Sequence, residues 1–200
     1  MSRPDPYRVL VLSVVKHDYV ARAVATHPRF ELTVVADDPD QPEWVHERNQ
    51  KFADEHGVPY VRDVEKAIAE HKVEVAVVSS EADRHCELSV RAADAGLHVI
   101  QDKPMSNSVA ECDRVVEAVE RNKVKFLMWN RNLLPAVVQA RDAIQRGDIG
   151  RPYAFHVDFY FAKDAGPPKG SREAGEPPMD WLESLKAAHV TGADGGVGKE

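Results

Sequence analysis

The chain has 200 residues, 43% hydrophobic and 30% charged, which predicts a soluble globular protein with apolar material for one or two cores and argues against disorder. Its net charge of -7 repels nucleic acid, no apolar run approaches the roughly 20 residues of a membrane helix, and Met1 to Pro6 has no leader pattern, so a cytoplasmic address without a membrane partner is expected. Cys86 and Cys112 make neither a disulfide framework nor a zinc pattern, and no metal is expected.

The first apolar run, RVLVLS, predicts a strand ending at Ser13. A helix from Asp18 to His27 and a second strand, ELTVVAD, ending at Asp37, complete one βαβ unit. A helix is predicted from Glu43 to His56, where Val45, Phe52 and Ala53 share a face and Gly57 supplies a stop. The short extended piece PYVRD follows, then a turn or two of helix marked by Val64, Ala67 and Ile68. VEVAVVSS, ending at Ser80, is apolar almost throughout, as a strand covered on both faces should be. Asp83 to Ala95 reads as helix, with Gly96 as its cap, and leads into the strand HVIQD and then Lys103 and Pro104. Ser108 and Glu111 have capping-box spacing ahead of Val115, Val116 and Val119, and the strand KFLMW ends this section at Trp129.

The alternation assigns the fold class as α/β: a doubly wound parallel sheet of Rossmann type over residues 1–129, with ligands expected outside the carboxyl ends of its strands. Residues 130–200 are expected to begin a second, incomplete α/β domain. There Pro135 opens a helix that Gly147 ends, and Tyr153 to Phe161 alternates as a one-sided strand. Lys163 to Pro178 holds three glycines and four prolines in sixteen residues, as a loop would, and a short helix is expected around Trp181 to Ala188.

The motifs along this frame resemble the glucose-fructose oxidoreductase and inositol dehydrogenase family, Gfo/Idh/MocA, over most of the chain. In SSEADRHCELSVRAADAGLHVIQDKP, Ser80 and Glu81 stand for the family's Thr-Pro, and His85 matches its downstream His. Asp102, Lys103 and Pro104 stand for its Glu-Lys-Pro. WNRNLLPAVVQARDAIQRGDIGRPY is similar to the family's Asn-Arg-Arg-Phe segment with its Ile-Gly-x-Pro. The resemblance implies NAD or NADP redox chemistry on a small polar substrate, a sugar or cyclitol, with Lys103 central and His85 in a secondary catalytic role. It implies cofactor contacts at Ser13, Val15, Lys16, Asp37, Ser79, Ser80, Asp102, Lys103, Asn130 and Arg131.

Several of these residues also have a physical rationale of their own. A lysine at the end of a parallel strand can polarise a substrate oxygen, and Pro104 holds Lys103 extended. Asp37 lies 24 residues after Ser13, where a carboxylate can accept from ribose hydroxyls, which favours NAD over NADP; Asp38 adds to the repulsion of a ribose phosphate. The plainer alternatives are a solvated lysine, an acidic turn, a packing histidine at His85 and an interdomain turn at Asn130 and Arg131. His156 and Asp158 read as a solvent-facing pair.

Two departures from the family pattern stand out. Ser13-Val14-Val15-Lys16-His17-Asp18 occupies the register of Gly-x-Gly-x-x-Gly, and no glycine precedes Gly57. Val15 is expected to obstruct the pyrophosphate path and Asp18 to cap the following helix, with Lys16 and His17 as side-chain substitutes. The family's downstream Asp and His motif also has no counterpart here. The second domain would then have an open edge, and two alternatives stand: the chain is a fragment of a longer protein, or it is a shortened form completed by association, as a homo-oligomer paired through this sheet. Two functions follow: an NAD(P)-dependent oxidoreductase, or a noncatalytic relative that binds a ligand or protein partner through the same crevice.

Overall fold

A computed structural model describes residues 5–15, 18–130, 134–154 and 156. Its described residues fall into two units, one reaching to Trp129 and one starting at Asn130. The first begins with strand β1 (Tyr7–Val14), helix α1 (Tyr19–Thr26), strand β2 (Phe30–Ala36) and helix α2 (Glu43–His56). Strand β3 (Tyr60–Val61), helix α3 (Val64–His71), strand β4 (Val75–Ser79) and helix α4 (His85–Asp94) follow. Strand β5 (His98–Gln101), helix α5 (Val109–Asn122) and strand β6 (Phe126–Met128) complete it. All five strand pairings are parallel, in the order β3-β2-β1-β4-β5-β6. This is the doubly wound sheet that the alternating pattern predicts.

The period of two along each strand divides the core between the two faces of the sheet. Leu10, Leu12, Val34, Ala36, Ala76 and Val78 pack with Val64 and Ala67 of α3, Leu88 and Ala92 of α4, and Ala118 of α5. Val9, Val11, Val35, Val75 and Val77 pack on the other face with Val20, Ala21 and Val24 of α1 and Phe52 and Ala53 of α2. Each of these larger side chains contributes about 1.5–3 kcal/mol through burial, and the apolar runs on both faces are what close the sheet.

Some helix ends follow local chemistry and others depart from it. Gly57 closes α2 at φ 66°, and the Asp63 carboxylate caps α3 by accepting from the Lys66 N–H at 2.9 Å. Ser108 caps α5 by accepting from the Glu111 N–H, but the Glu111 carboxylate bonds to the Ser106 hydroxyl, so the reciprocal half of the expected capping box is not made. Asp18 makes no side-chain cap on α1; its carboxylate pairs with Arg22 one turn on at 2.5 Å, which corrects the capping role expected of it. Helix α4 starts at His85, two residues later than expected, because Arg84 N–H closes a turn on the Glu81 carbonyl at 3.1 Å.

In the second unit, helix α6 (Pro135–Arg146) starts on its proline and stops at Gly147, φ 79°. The loop expected from Lys163 to Pro178 and the helix around Trp181 to Ala188 lie outside the described residues, as does most of the strand expected from Tyr153 to Phe161.

At the end of β1, Ser13 takes a left-handed φ of 60° where the pairing with β4 slips register. Its hydroxyl is buried without a hydrogen-bond partner among the described residues. A side chain in this region costs roughly 1–2 kcal/mol. Ser13→Gly is therefore expected to stabilise the protein by about 1 kcal/mol, read as a higher urea midpoint at unchanged slope.

Candidate functional site

The chain runs from β1 outward through β2 to β3, then returns to place β4 on the opposite side of β1. The carboxyl ends of β1 and β4 are thus the point where strand order reverses, and the crevice of the sheet opens there. Of the sequence-predicted residues of the first unit that the structure describes, His85 opens α4 and the others stand at the end of β1, β2, β4 or β5 or in the loop that follows it. What the structure adds is the way these residues are engaged with one another.

On the β2 side, Asp37 follows the strand directly, and its side chain has 0% exposure. One oxygen accepts from Arg84 Nη2 at 2.8 Å and from the Asp38 N–H at 2.9 Å; the other accepts from Asn49 Nδ2 at 2.9 Å. Asn49 in turn accepts from the Val14 N–H at 2.6 Å, so a single buried amide joins the ends of β1 and β2 to α2. Behind it, Tyr60 Oη lies 2.5 Å from His46 Nδ1, and burial pushes the Tyr60 phenol up to about 12. Arg84 also reaches Asp38 at 3.0 Å, and Arg91 grips Asp38 with both terminal nitrogens at 2.8 Å. The Arg91 hydrogen bond above all, with help from Arg84, holds the Asp38 carboxyl below the usual range despite its partial burial. Asp38 is therefore a neutralised member of an ion-pair chain, which tempers the phosphate repulsion expected of it.

On the β5 side, Asp102 accepts from the Tyr19 hydroxyl at 2.8 Å and from the Lys103 N–H at 2.7 Å. Tyr19 is the first residue of α1, and its ring lies 4.9 Å from that of Trp129. Gln101, fully buried, donates to the carbonyls of Asp102, Pro104 and Met105 at 3.1, 3.0 and 2.9 Å and accepts from Ser89 at 2.7 Å. The Lys103-Pro104 bond is cis. Lys103 is half-buried at the mouth, on a backbone fixed by its two neighbours.

His85 is 1% exposed, and its ring nitrogens face the carbonyls of Pro104 at 2.6 Å and Ser80 at 3.1 Å. Burial, outweighing those carbonyls, lowers its pKa. The ring sits between the loop after β4 and the loop after β5, and as a neutral imidazole it donates to one of the two carbonyls. Val15, expected to obstruct the pyrophosphate path, is 2% exposed. Ser80 donates to the Glu81 carbonyl at 3.1 Å. Asn130 is half-buried at the start of the second unit, while Lys16, His17, Arg131 and Asp158 lie outside the described residues.

Four buried polar atoms in this region have no hydrogen-bond partner among the described residues: Ser13 Oγ, Ser79 Oγ, Glu81 Oε2 and Arg84 Nη1. The last two are 3.8 Å apart. Unsatisfied buried groups are rare in folded proteins, and a set of them at the point of reversal suits a polar ligand. With a carboxylate at the end of β2 and a lysine at the end of β5, the donor set fits a dinucleotide. The exception is that the ribose-type carboxylate is engaged internally.

Sequence reasoning missed Asn49, Gln101, Arg84 and Arg91. Asn49 had a signal, since it shares the buried face of Val45, Phe52 and Ala53 and is a polar residue where the period demands an apolar one. Gln101 had the same signal within β5. The two arginines had none for their bonds to Asp37 and Asp38, which lie 46 and more residues away.

Residues 14–130 match the Gfo/Idh/MocA oxidoreductase family, described by an NAD-binding Rossmann fold. Inositol 2-dehydrogenase of Salmonella typhimurium is 25% identical over 158 residues, covering 77% of this chain and 45% of that one. The 1,5-anhydro-D-fructose reductase of Ensifer adhaerens is 33% identical over 114 residues, covering 56% and 34%. Among solved structures, the WlbA dehydrogenase from Bordetella pertussis, in complex with NADH and UDP-GlcNAcA, aligns with a TM-score of 0.62 at 21% identity, over 73% of this chain and 44% of that one. GenD2 from gentamicin A biosynthesis, in complex with NAD, gives 0.63 at 21%, over 74% and 41%. At that identity the structures establish the fold, and the chain spans less than half the length of these curated relatives.

Two outcomes test the geometry. Asn49→Ala strands the Val14 N–H and one Asp37 oxygen in the interior, and is expected to cost about 2–4 kcal/mol in urea denaturation. Burial raises the Glu81 pKa, so the folded protein takes up that proton more readily than the unfolded chain, and ionised Glu81 opposes folding above the usual carboxylate range. Glu81→Gln should therefore raise the urea midpoint at pH 7. The gain should close as the pH falls through the ordinary carboxylate range.

Proposed function

Because the chain belongs to the Gfo/Idh/MocA oxidoreductase family, we propose that it serves an NAD-dependent oxidation or reduction at a hydroxyl or carbonyl carbon of a sugar or cyclitol. The observation that carries this reading is Lys103 at the carboxyl end of β5, its backbone fixed by Asp102 and Gln101, beside the unsatisfied polar atoms at the ends of β1 and β4. The inositol dehydrogenase and anhydrofructose reductase relatives support a polyhydroxylated substrate.

In this reading the Lys103 ammonium polarises the substrate oxygen and steadies the negative charge that develops there as its carbon changes oxidation state. Asp102 and the Gln101 amide fix the backbone around Lys103, and His85 acts as a positioning residue that keeps the two loops at a constant separation. Asp37 takes the ribose diol, which favours NAD, and Ser13, Val15, Ser79 and Ser80 border the dinucleotide; Lys16 is proposed from the sequence alone as a further cofactor contact. Asn130 and Arg131 are likewise proposed from the sequence alone, as contacts to nicotinamide or substrate. A bound nicotinamide supplies the two-electron acceptor or donor.

A second reading, a noncatalytic relative using the same crevice for another ligand, is favoured by one observation: both oxygens of Asp37 are bonded within the protein. Titration of the full chain with NADH, followed by nicotinamide fluorescence, decides between them. A saturable change at or below millimolar cofactor is expected for the oxidoreductase, and a flat response there would leave the second reading. Given binding, Lys103→Met should leave the NADH affinity within about twofold while lowering NAD reduction by a polyol panel by roughly 10²–10⁴-fold.

A further inference from the structure

The Asp37 carboxylate stands where the sheet offers an acceptor to a ribose diol, but Arg84 is already there. Three donors converge on its two oxygens: Arg84 Nη2 at 2.8 Å, the Asp38 N–H at 2.9 Å and Asn49 Nδ2 at 2.9 Å. Its side chain has no solvent exposure. A carboxylate has about four acceptor directions, so little capacity remains and none of it is open to an incoming hydroxyl. A guanidinium donor is also charge-assisted, which makes it the stronger competitor against a neutral hydroxyl for the same oxygen.

Topology makes this more than a local ion pair. Asp37 follows β2 and Arg84 lies beyond β4, while β1 separates these strands in the sheet. The guanidinium therefore crosses the carboxyl end of β1, the line along which a dinucleotide would lie. Asp38 holds it from the same side at 3.0 Å and Glu81 from its own loop at 3.8 Å. Asp38 is itself clamped by Arg91, which also bonds Glu65 and Glu87. The side chain is 14% exposed, so a ligand can reach it without unfolding its surroundings.

We infer that Arg84 is the affinity-determining residue of the adenosine half of this site: it occupies the ribose-recognising carboxylate of Asp37, and a dinucleotide binds only by displacing it. The inference rests on the dinucleotide reading proposed above. It assigns Arg84 a role that Asp37 alone does not predict, and it makes the internal ion pair, together with the absent glycines, a cause of weak cofactor binding.

The experiment compares the Kd of NADH with that of reduced nicotinamide mononucleotide, which lacks the adenosine ribose, for the wild-type chain, Arg84→Ala and Asp38→Asn. Arg84→Ala should bind NADH at least roughly tenfold more tightly than wild type, the exchange of one charge-assisted bond for a neutral one, with the mononucleotide unchanged. Asp38→Asn keeps Asp37 paired but removes one of the two carboxylates bonded to Arg84, and should tighten NADH by a smaller factor in the same direction. It carries the test if Arg84→Ala does not fold. NADH binding that is unchanged or weaker in both variants overturns the inference and leaves the oxidoreductase reading in place. A parallel gain for the mononucleotide also overturns it, since the effect would then not arise at the ribose. No NADH binding by wild type or either variant at millimolar concentration defeats the dinucleotide reading itself, and the inference with it.

Discussion

A carboxylate withdrawn from water must be paired, and the arrangement of this sheet's carboxyl ends turns on how Asp37 meets that demand. Asn49 brings α2 and the β1 backbone to one oxygen, and Arg84 brings the loop after β4 to the other. Three strands that pack through interchangeable valines along their length are thereby given a fixed geometry at one end. Hydrophobic burial closes the sheet, but it does not say where the loops leave it. The ion pair and the amide do.

The two sides of the crevice are organised by different means. On the β5 side the polar groups are mostly backbone: Gln101 reads the carbonyls of Asp102, Pro104 and Met105, and the His85 nitrogens face that of Pro104 and one more, of Ser80. Such bonds hold a main chain still, as suits a loop that must keep Lys103 in one place. On the β2 side the contacts are between charged side chains, Asp37, Asp38, Arg84, Arg91, Glu65 and Glu87. Those at the rim are partly solvated and contribute little each, whereas the Asp37–Arg84 pair is shielded and sensitive to losing either member.

Most of the fold was legible because it is written in local pattern. Continuous apolar runs marked β1, β2 and β4, Gly57 and Gly147 marked helix ends, and Ser108 marked the start of α5. The family motifs likewise pointed to the loops after β4 and β5. What failed was the assignment of partners. Asp18 has the residue type of a cap, yet Arg22 one turn away offers a charged partner and takes it. Glu111 had the right spacing for a capping box, but the Ser106 hydroxyl is nearer in space. Arg84 was invisible for the same reason, since nothing within several residues of it indicates that its counter-charge lies beyond β1. Periodicity encodes which face a side chain takes, and long-range polar pairing is decided only after the chain has folded.

Tyr19 links α1 to the β5 side. It is the first residue of α1, the helix that follows the altered glycine loop, and its hydroxyl is bonded to the same Asp102 oxygen that receives the Lys103 amide. One carboxylate oxygen therefore ties the entrance of that helix to the loop that carries Lys103. Neither the helix entrance nor the Lys103 peptide can shift far without giving up its hydrogen bond to Asp102.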